Sequence, residues 1–266
     1  MATSGPHLSI LKTLRADCGV QDLSLDAEKT IAAMDARYIF SSSKVALTAL
    51  RKEYPANKEF IEEIQDRGVK WKAATENQTA TETQVEKYIS WDNIIQFRDM
   101  YYDEMDGTQR ILLALYTYVP PVRLDYTPMK IVTRKPKKLA DGFNYLVNSA
   151  SPYFLFHCYK THKLYGDKKI VIPAALKKEL GMWIQEGQQY LFEDAGVPWS
   201  ESRLSQNMVR IFKQFHGMNT GVTMLRHAYA TKFHAGQLPL AALKKTAEAM
   251  MHSPMQSMTY RFLEFD

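Results

Sequence analysis

Four short stretches of the chain carry side chains suited to holding a phosphate or another oxyanion. In YVPPVRLDY at 118–126 an arginine and an aspartate, Arg123 and Asp125, follow two prolines at the end of an apolar run. The prolines fix the backbone and exclude helix, so Arg123 is held by a stiff turn. YKTHKLYG at 159–166 reads as a hairpin tip, from which Lys160 can reach out to a phosphate or a leaving oxygen. TMLRHAYAT at 223–231 opens an amphipathic helix with Arg226 and His227 near its start. Backbone amides and the helix dipole favour an anion there. MMHSP at 250–254 carries His252, and Tyr260 follows eight residues later. Each stretch alone has a plainer reading: a surface arginine paired with Asp125, a solvated hairpin lysine, a helix start that holds Arg and His, and a tyrosine that packs.

Taken in order, the four spell Arg, Lys, Arg-His, His and Tyr. That set resembles the tyrosine recombinase and integrase family, over residues 85–263. LRHAYATKF at 225–233 is similar to the family's Arg-containing box, and MMHSPMQSMTYRF at 250–262 to its His-to-Tyr box. PPVRLDY at 120–126 resembles the first-arginine box as written in recombinases of large DNA viruses and related mobile elements, and YKTHKLYG resembles their lysine hairpin. Two departures stand out. The family often has histidine three positions before the second arginine, where this chain has Thr223; that role passes to the adjacent His227 or is dispensed with. The spacing from His252 to Tyr260 is one residue shorter than in many bacterial members, which points to a divergent lineage.

The resemblance implies transesterification at a DNA phosphodiester, with no metal and no cofactor. A phenol has a pKa of about 10 and is a poor nucleophile at neutral pH, so it needs an electropositive site. Arg123 and Arg226 would donate forked hydrogen bonds to the non-bridging oxygens and stabilise the pentacoordinate transition state. His252 would add a third donor, Lys160 would protonate the departing 5′ oxygen, and Tyr260 would hold the DNA by a 3′-phosphotyrosyl bond. Asp125, Thr223 and His227 are the accessory candidates. The implied partner is double-stranded DNA, gripped by two domains closing as a clamp, with self-association into a synaptic tetramer. Lys135, Lys137, Lys138, Lys163, Lys244 and Lys245 are the expected phosphate contacts. The implied location is with DNA, in a nucleus, a viral factory or the host cytoplasm. Two other functions fit the same residues: a type IB topoisomerase that relaxes DNA, and a catalytically inactive DNA-binding relative.

The elements that must position these residues are mostly helical. Apolar residues at helical spacing run from Tyr38 to Gly68, divided by Pro55. Residues 73–84, AATENQTATETQ, contain no large apolar side chain and read as a linker and domain boundary, which puts a helical core-binding domain at 1–75, the linker at 76–84 and a catalytic domain at 85–266. One helix is expected over Val85–Met105 and another over Leu112–Tyr118, with Asp106-Gly107 turning between them. Short β-branched or aromatic runs at 129–133, 153–156 and 168–172 predict a small antiparallel sheet. Helices are expected again at 174–193, 203–216, 223–236, 238–251 and 254–263. The fold class is therefore mainly α with a small antiparallel β-sheet.

Composition narrows the setting. The 266 residues are 45% hydrophobic, enough for one large or two modest cores. No stretch approaches the roughly 18 consecutive apolar residues of a membrane span, so no membrane partner is expected. The first residues lack the basic and apolar regions of a secretory signal. Cys18 and Cys158 form no disulfide framework and no Cys-rich zinc site, which fits a reducing, intracellular setting. The formal charge of +5 is a cancellation. Residues 1–75 hold 11 basic and 10 acidic side chains, residues 76–134 hold 6 and 9, and residues 135–266 hold 17 and 10. The last segment, with its surplus of seven, contains Lys160, Arg226, His252 and Tyr260, and suits a polyanion.

Overall fold

A computed structural model describes residues 5–38, 40–235 and 240–263. The chain divides into two compact units, Met1–Asn77 and Gln78–Asp266.

The described residues of the first unit form four helices: α1 (Gly5–Cys18), α2 (Ala27–Arg37), α3 (Phe40–Glu53) and α4 (Lys58–Glu76). Asp26 starts α2 by accepting a hydrogen bond from the Lys29 amide. Pro55 falls between α3 and α4, where a helix interior would lose an amide donor. Leu14, Leu23, Met34, Leu47, Leu50 and Phe60 fill the core. Arg67 of α4 forks onto Asp35 of α2 at 2.7 Å to each oxygen and also reaches Ser43 of α3.

The stretch expected as a linker is helical at both ends. Residues 73–76 complete α4, and α5 (Glu82–Val85) opens with a capping box between Thr81 and Gln84. The single helix expected over Val85–Met105 is interrupted as well. After α5 the Ser90 hydroxyl accepts from Asn93 N and starts α6 (Trp91–Met100), and a 3-10 turn follows at Tyr102–Glu104. Apolar periodicity runs across these breaks, whereas the caps decide where each helix begins. A second capping box, Asp106 with Gln109, opens α7 (Gly107–Thr117). Every residue of α7 from Ile111 to Thr117 is buried, which places this helix at the centre of the unit's core.

The sheet runs β1 (Met129–Val132), β2 (Asn144–Val147), β3 (Tyr153–Phe156) and β4 (Lys168–Val171), in that order. It is mixed, which corrects the antiparallel expectation: β2–β3 and β3–β4 are antiparallel, but β1 joins β2 in parallel. β2 is also absent from the sequence reading, because all four of its residues are buried and show no alternation. The β3–β4 connection contains one helical turn, α8 (His162–Tyr165), in place of a tight Gly-Asp turn. Gly166 ends it at φ 62°, a conformation that favours glycine.

α9 (Ala174–Trp183) ends ten residues earlier than the predicted 193. Beyond it lies a two-stranded ribbon, β5 (Glu193–Asp194) and β6 (Val197–Pro198), turned by Ala195-Gly196 with both φ values positive. α10 (Glu201–His216) is capped by Ser200 and stopped by left-handed Gly217. α11 (Val222–His234), α12 (Leu240–Ala249) and α13 (Pro254–Met258) complete the unit. The parts of the predicted 223–236 and 238–251 helices that fall on residues 236–239 lie outside the described residues. No helix of the described residues is long and apolar enough to cross a membrane.

Candidate active site

Arg123 stands on the loop between α7 and β1, and two buried tyrosines pin that loop. Tyr116 Oη donates to the Arg123 carbonyl at 2.6 Å, and Tyr126 Oη donates back to the Leu115 carbonyl at 3.1 Å. Their rings meet edge to face at 5.3 Å. Burial pushes both phenols well above their usual pKa, so each remains a neutral donor.

The β3–β4 connection is tied to the same loop by Asn144, the first residue of β2. Its amide nitrogen donates to the carbonyls of Asp125 (2.7 Å) and Cys158 (2.9 Å). Its amide oxygen accepts from the amides of His157 (2.8 Å) and Cys158 (2.7 Å). One buried side chain thus joins the turn that carries Arg123 to the turn that carries Lys160. Sequence reasoning missed it, since an asparagine in an apolar run gives no signal of four partners. Asn144→Ala strands four polar groups and is expected to lower the stability of this unit by about 3 kcal/mol, measured by thermal or urea unfolding.

Arg226 lies on the second turn of α11, 1% exposed. Its Nη1 donates to the Pro121 carbonyl at 3.1 Å, its Nη2 contacts His252 Nε2, and its guanidinium lies 4.9 Å from the centre of the Tyr260 ring. The Nε donor has no hydrogen-bond partner among the described residues. A buried donor without a partner calls for an explanation, and an incoming oxyanion supplies one.

His252 reaches this guanidinium from a tight helix end. After α12 the His252 amide bonds to the Ala247 carbonyl and the Met251 amide to that of Glu248. Met251 takes the left-handed position, φ 56°, where glycine is usual. Ser253 then caps α13, with Pro254 at its first position. One turn later Tyr260 returns to the site, its ring 5.1 Å from that of His252. The segment beyond is anchored to α11: Phe262 N donates to Thr231 Oγ1 at 3.0 Å, and the Phe262 ring stacks on His227 at 4.2 Å and 6°. His227 Nδ1 lies 2.8 Å from the Tyr260 carbonyl and donates to it, since a carbonyl only accepts. His227 therefore positions the backbone of Tyr260. Thr223 is exposed on the first turn of α11.

The electrostatics follow from burial among cations. Desolvation, with Arg226, Arg123 and Lys160 adding to it, pushes His252 down to about 3. Desolvation also takes His227 to about 4. Burial lowers Arg226 as well, opposed chiefly by Tyr260. Asp125 moves the other way, to about 6: burial raises it, while Arg123 and Arg226 hold it back. Its Oδ2 has no partner among the described residues. Lys160 is exposed on the turn after β3, and its charge is felt at His252.

Arg226, His252 and Tyr260 thus come together, with Arg123 and Lys160 within electrostatic reach. Lys163, Lys135, Lys137, Lys138, Lys244 and Lys245 are all exposed, the second to fourth on the β1–β2 connection and the last two on α12. Beside His252 opens a cavity of about 240 Å³ lined by Tyr165, Lys168, Lys244, Glu248, Met251 and Pro254 as well. It brings in Lys168, which sequence reasoning passed over as a strand residue.

These shifts have a consequence for acid stability. His227 and His252 take up protons more readily unfolded, at about 6.5, than folded, so folding stability falls as the pH drops from 6.5 towards 4 and 3. Asp125 works against this between its ordinary value and about 6, where the folded form holds the extra proton. Two histidines outweigh one carboxyl. Circular dichroism over an acid titration should show net destabilisation below pH 6.5, with a shallower slope in His227→Gln.

No family profile matches the chain, and no curated protein matches it in sequence. Among solved structures, the crystal structure of XerA recombinase is similar with a TM-score of 0.47 and 13% identity, over 97% of this chain and 86% of that one. This is a distant likeness of shape.

Proposed function

We propose that the second unit is a metal-independent DNA strand transferase of the tyrosine recombinase kind, cutting and rejoining duplex DNA through a 3′-phosphotyrosyl bond at Tyr260. The observation that carries this reading is the contact of Arg226 with both His252 and the Tyr260 ring, within the field of Arg123. Two segments, α11 and the stretch from His252 to Tyr260, here bring a neutral imidazole, a phenol and a guanidinium with a spare donor to one place.

A phosphodiester entering the site takes the free Nε–H of Arg226 and the fork of Arg123, and the two cations offset the charge that builds on the pentacoordinate phosphorus. The Tyr260 oxygen attacks phosphorus as its proton passes to solvent, while His252, whose Nε2 accepts from Arg226, keeps its proton on Nδ1 and offers that donor, without a hydrogen-bond partner among the described residues, to a phosphate oxygen. The departing 5′ oxygen receives a proton from Lys160. The phosphotyrosyl ester conserves the bond energy, so a 5′ hydroxyl from another strand reverses the step and joins a new partner. Tyr260 and Arg226 belong to one chain in this arrangement, so cleavage proceeds in cis; mixing an Arg226 variant with a Tyr260 variant restores nothing.

The exposed lysines of the β1–β2 connection, the Lys160 turn and α12 supply phosphate contacts, and DNA exchange requires self-association into a tetramer on DNA. The test is incubation with a nicked suicide duplex in the presence of a chelator, followed by denaturing electrophoresis. A protein–DNA adduct is expected. Relaxation of supercoiled plasmid lacking any particular site, by a monomer, would instead assign the same chemistry to a topoisomerase. DNA binding without any adduct would leave an inactive DNA-binding relative.

A further inference from the structure

We propose that the β3–β4 connection binds one late first-row divalent cation, zinc by preference, through His157 Nδ1, His162 Nε2 and the Asp167 carboxylate. The site stands on the geometry of this connection and does not depend on the recombinase reading.

The three residues follow β3, open α8 and precede β4. His157 Nδ1 lies 2.7 Å and His162 Nε2 3.0 Å from the same oxygen, Asp167 Oδ1. The two rings meet edge-on, 4.9 Å apart at 70°. One ligand atom from each residue fits within a 4.8 Å span. Zinc bonds nitrogen at about 2.0–2.1 Å and carboxylate oxygen at about 2.0–2.2 Å, so a tetrahedral site spaces its ligand atoms by roughly 3.3 Å. Opening the two nitrogen–oxygen contacts by a few tenths of an ångström therefore admits an ion between them.

The donor set also selects the ion. Two imidazoles and one carboxylate suit zinc, cobalt, nickel or copper, and are a poor match for magnesium or calcium, which require oxygen ligands. One Asp167 oxygen faces both imidazole nitrogens, so the carboxylate is already turned towards the place of the ion. All three side chains are partly solvent-accessible, at 22%, 32% and 35%, so an ion has an entry path and a fourth position open to water. On binding, each imidazole gives up the proton that its ligating nitrogen now donates to Asp167, takes one from solvent on the other ring nitrogen, and presents a lone pair to the ion. The ion would then brace both ends of the turn that carries Lys160 and Lys163.

The experiment uses the full chain, stripped with a chelator and dialysed. Zinc titration is followed by calorimetry, and cobalt substitution by visible absorption. Saturable binding of one ion per chain is expected, with cobalt bands of a low-symmetry nitrogen–oxygen site. His162→Ala and Asp167→Asn should each weaken zinc at least about tenfold and remove the cobalt bands. His162→Gln, which keeps the side chain's bulk and a hydrogen-bond donor, should lose the ion equally and guards against a folding defect. Absence of saturable binding, or the same stoichiometry and affinity in these variants, overturns the proposal. The strand-transfer assay in chelator is a separate readout, so the failure of one reading leaves the other standing.

Discussion

Tyr260→Phe forms no covalent adduct with a nicked suicide duplex while binding the same DNA with unchanged affinity. The substitution removes one oxygen and nothing else. The ring that lies beside His252 (5.1 Å), His227 (4.9 Å) and the Arg226 guanidinium (4.9 Å) remains, so the packing of the site is preserved. Stability should fall by only about 1 kcal/mol, since no cavity opens but the buried Arg226 loses the Tyr260 side chain as a hydrogen-bond partner. Cleavage disappears because no other atom occupies the nucleophile's position. An adduct surviving this change would move the nucleophile elsewhere, and the structure ranks the alternatives. Tyr229 packs edge-on against Trp91 at 4.9 Å, and burial pushes its phenol up to about 12, which makes it a poor nucleophile. Tyr165 is exposed and lines the cavity beside His252, so it would be tested first.

Arg226→Lys is expected to lower the cleavage rate by about a hundred- to a thousandfold, the range for removing a preorganised donor from a developing anion. Lysine retains the charge but loses the planar fork that meets Pro121, His252 and the incoming phosphate together. Adduct yield against time, with DNA affinity measured in parallel, separates this loss from a binding defect. Arg226→Ala is the blunter change. Because Arg226 is among the largest fully buried side chains, truncation leaves a cavity and an unpaired Pro121 carbonyl, costing about 3 kcal/mol. A melting curve must therefore accompany any activity measurement on that variant. If Arg226→Lys cleaved at the parent rate, the guanidinium would be a structural brace for Pro121 and His252 and the proposed chemistry would fall.

The sequence alone determined the order Arg123, Lys160, Arg226, His252, Tyr260, the helical character of most of the chain, three of the four main strands and the basic surplus of the last 132 residues. These are local properties: residue identity, period and turn chemistry leave their mark within a few positions. Helix ends were less readable. Ser90, Thr81 and Ser253 each capture an amide three residues on, and such caps divided the predicted 85–105 helix where hydrophobic period ran straight through.

Only the tertiary structure decided what depends on distant partners. The parallel pairing of β1 with β2 is one case, because a fully buried four-residue strand shows no alternation and its neighbour cannot be read from its own composition. Asn144 is another; its four hydrogen bonds join two turns that sequence treats as separate motifs. The different surroundings of Thr223 and His227 are a third. The helix turns Thr223 to solvent and His227 inward, where it meets the Tyr260 carbonyl 33 residues away. A residue type and its spacing can announce which groups are available for chemistry. Which of them are desolvated, neutral and facing one another depends on burial and on contacts across the chain, and those exist only once the core has formed.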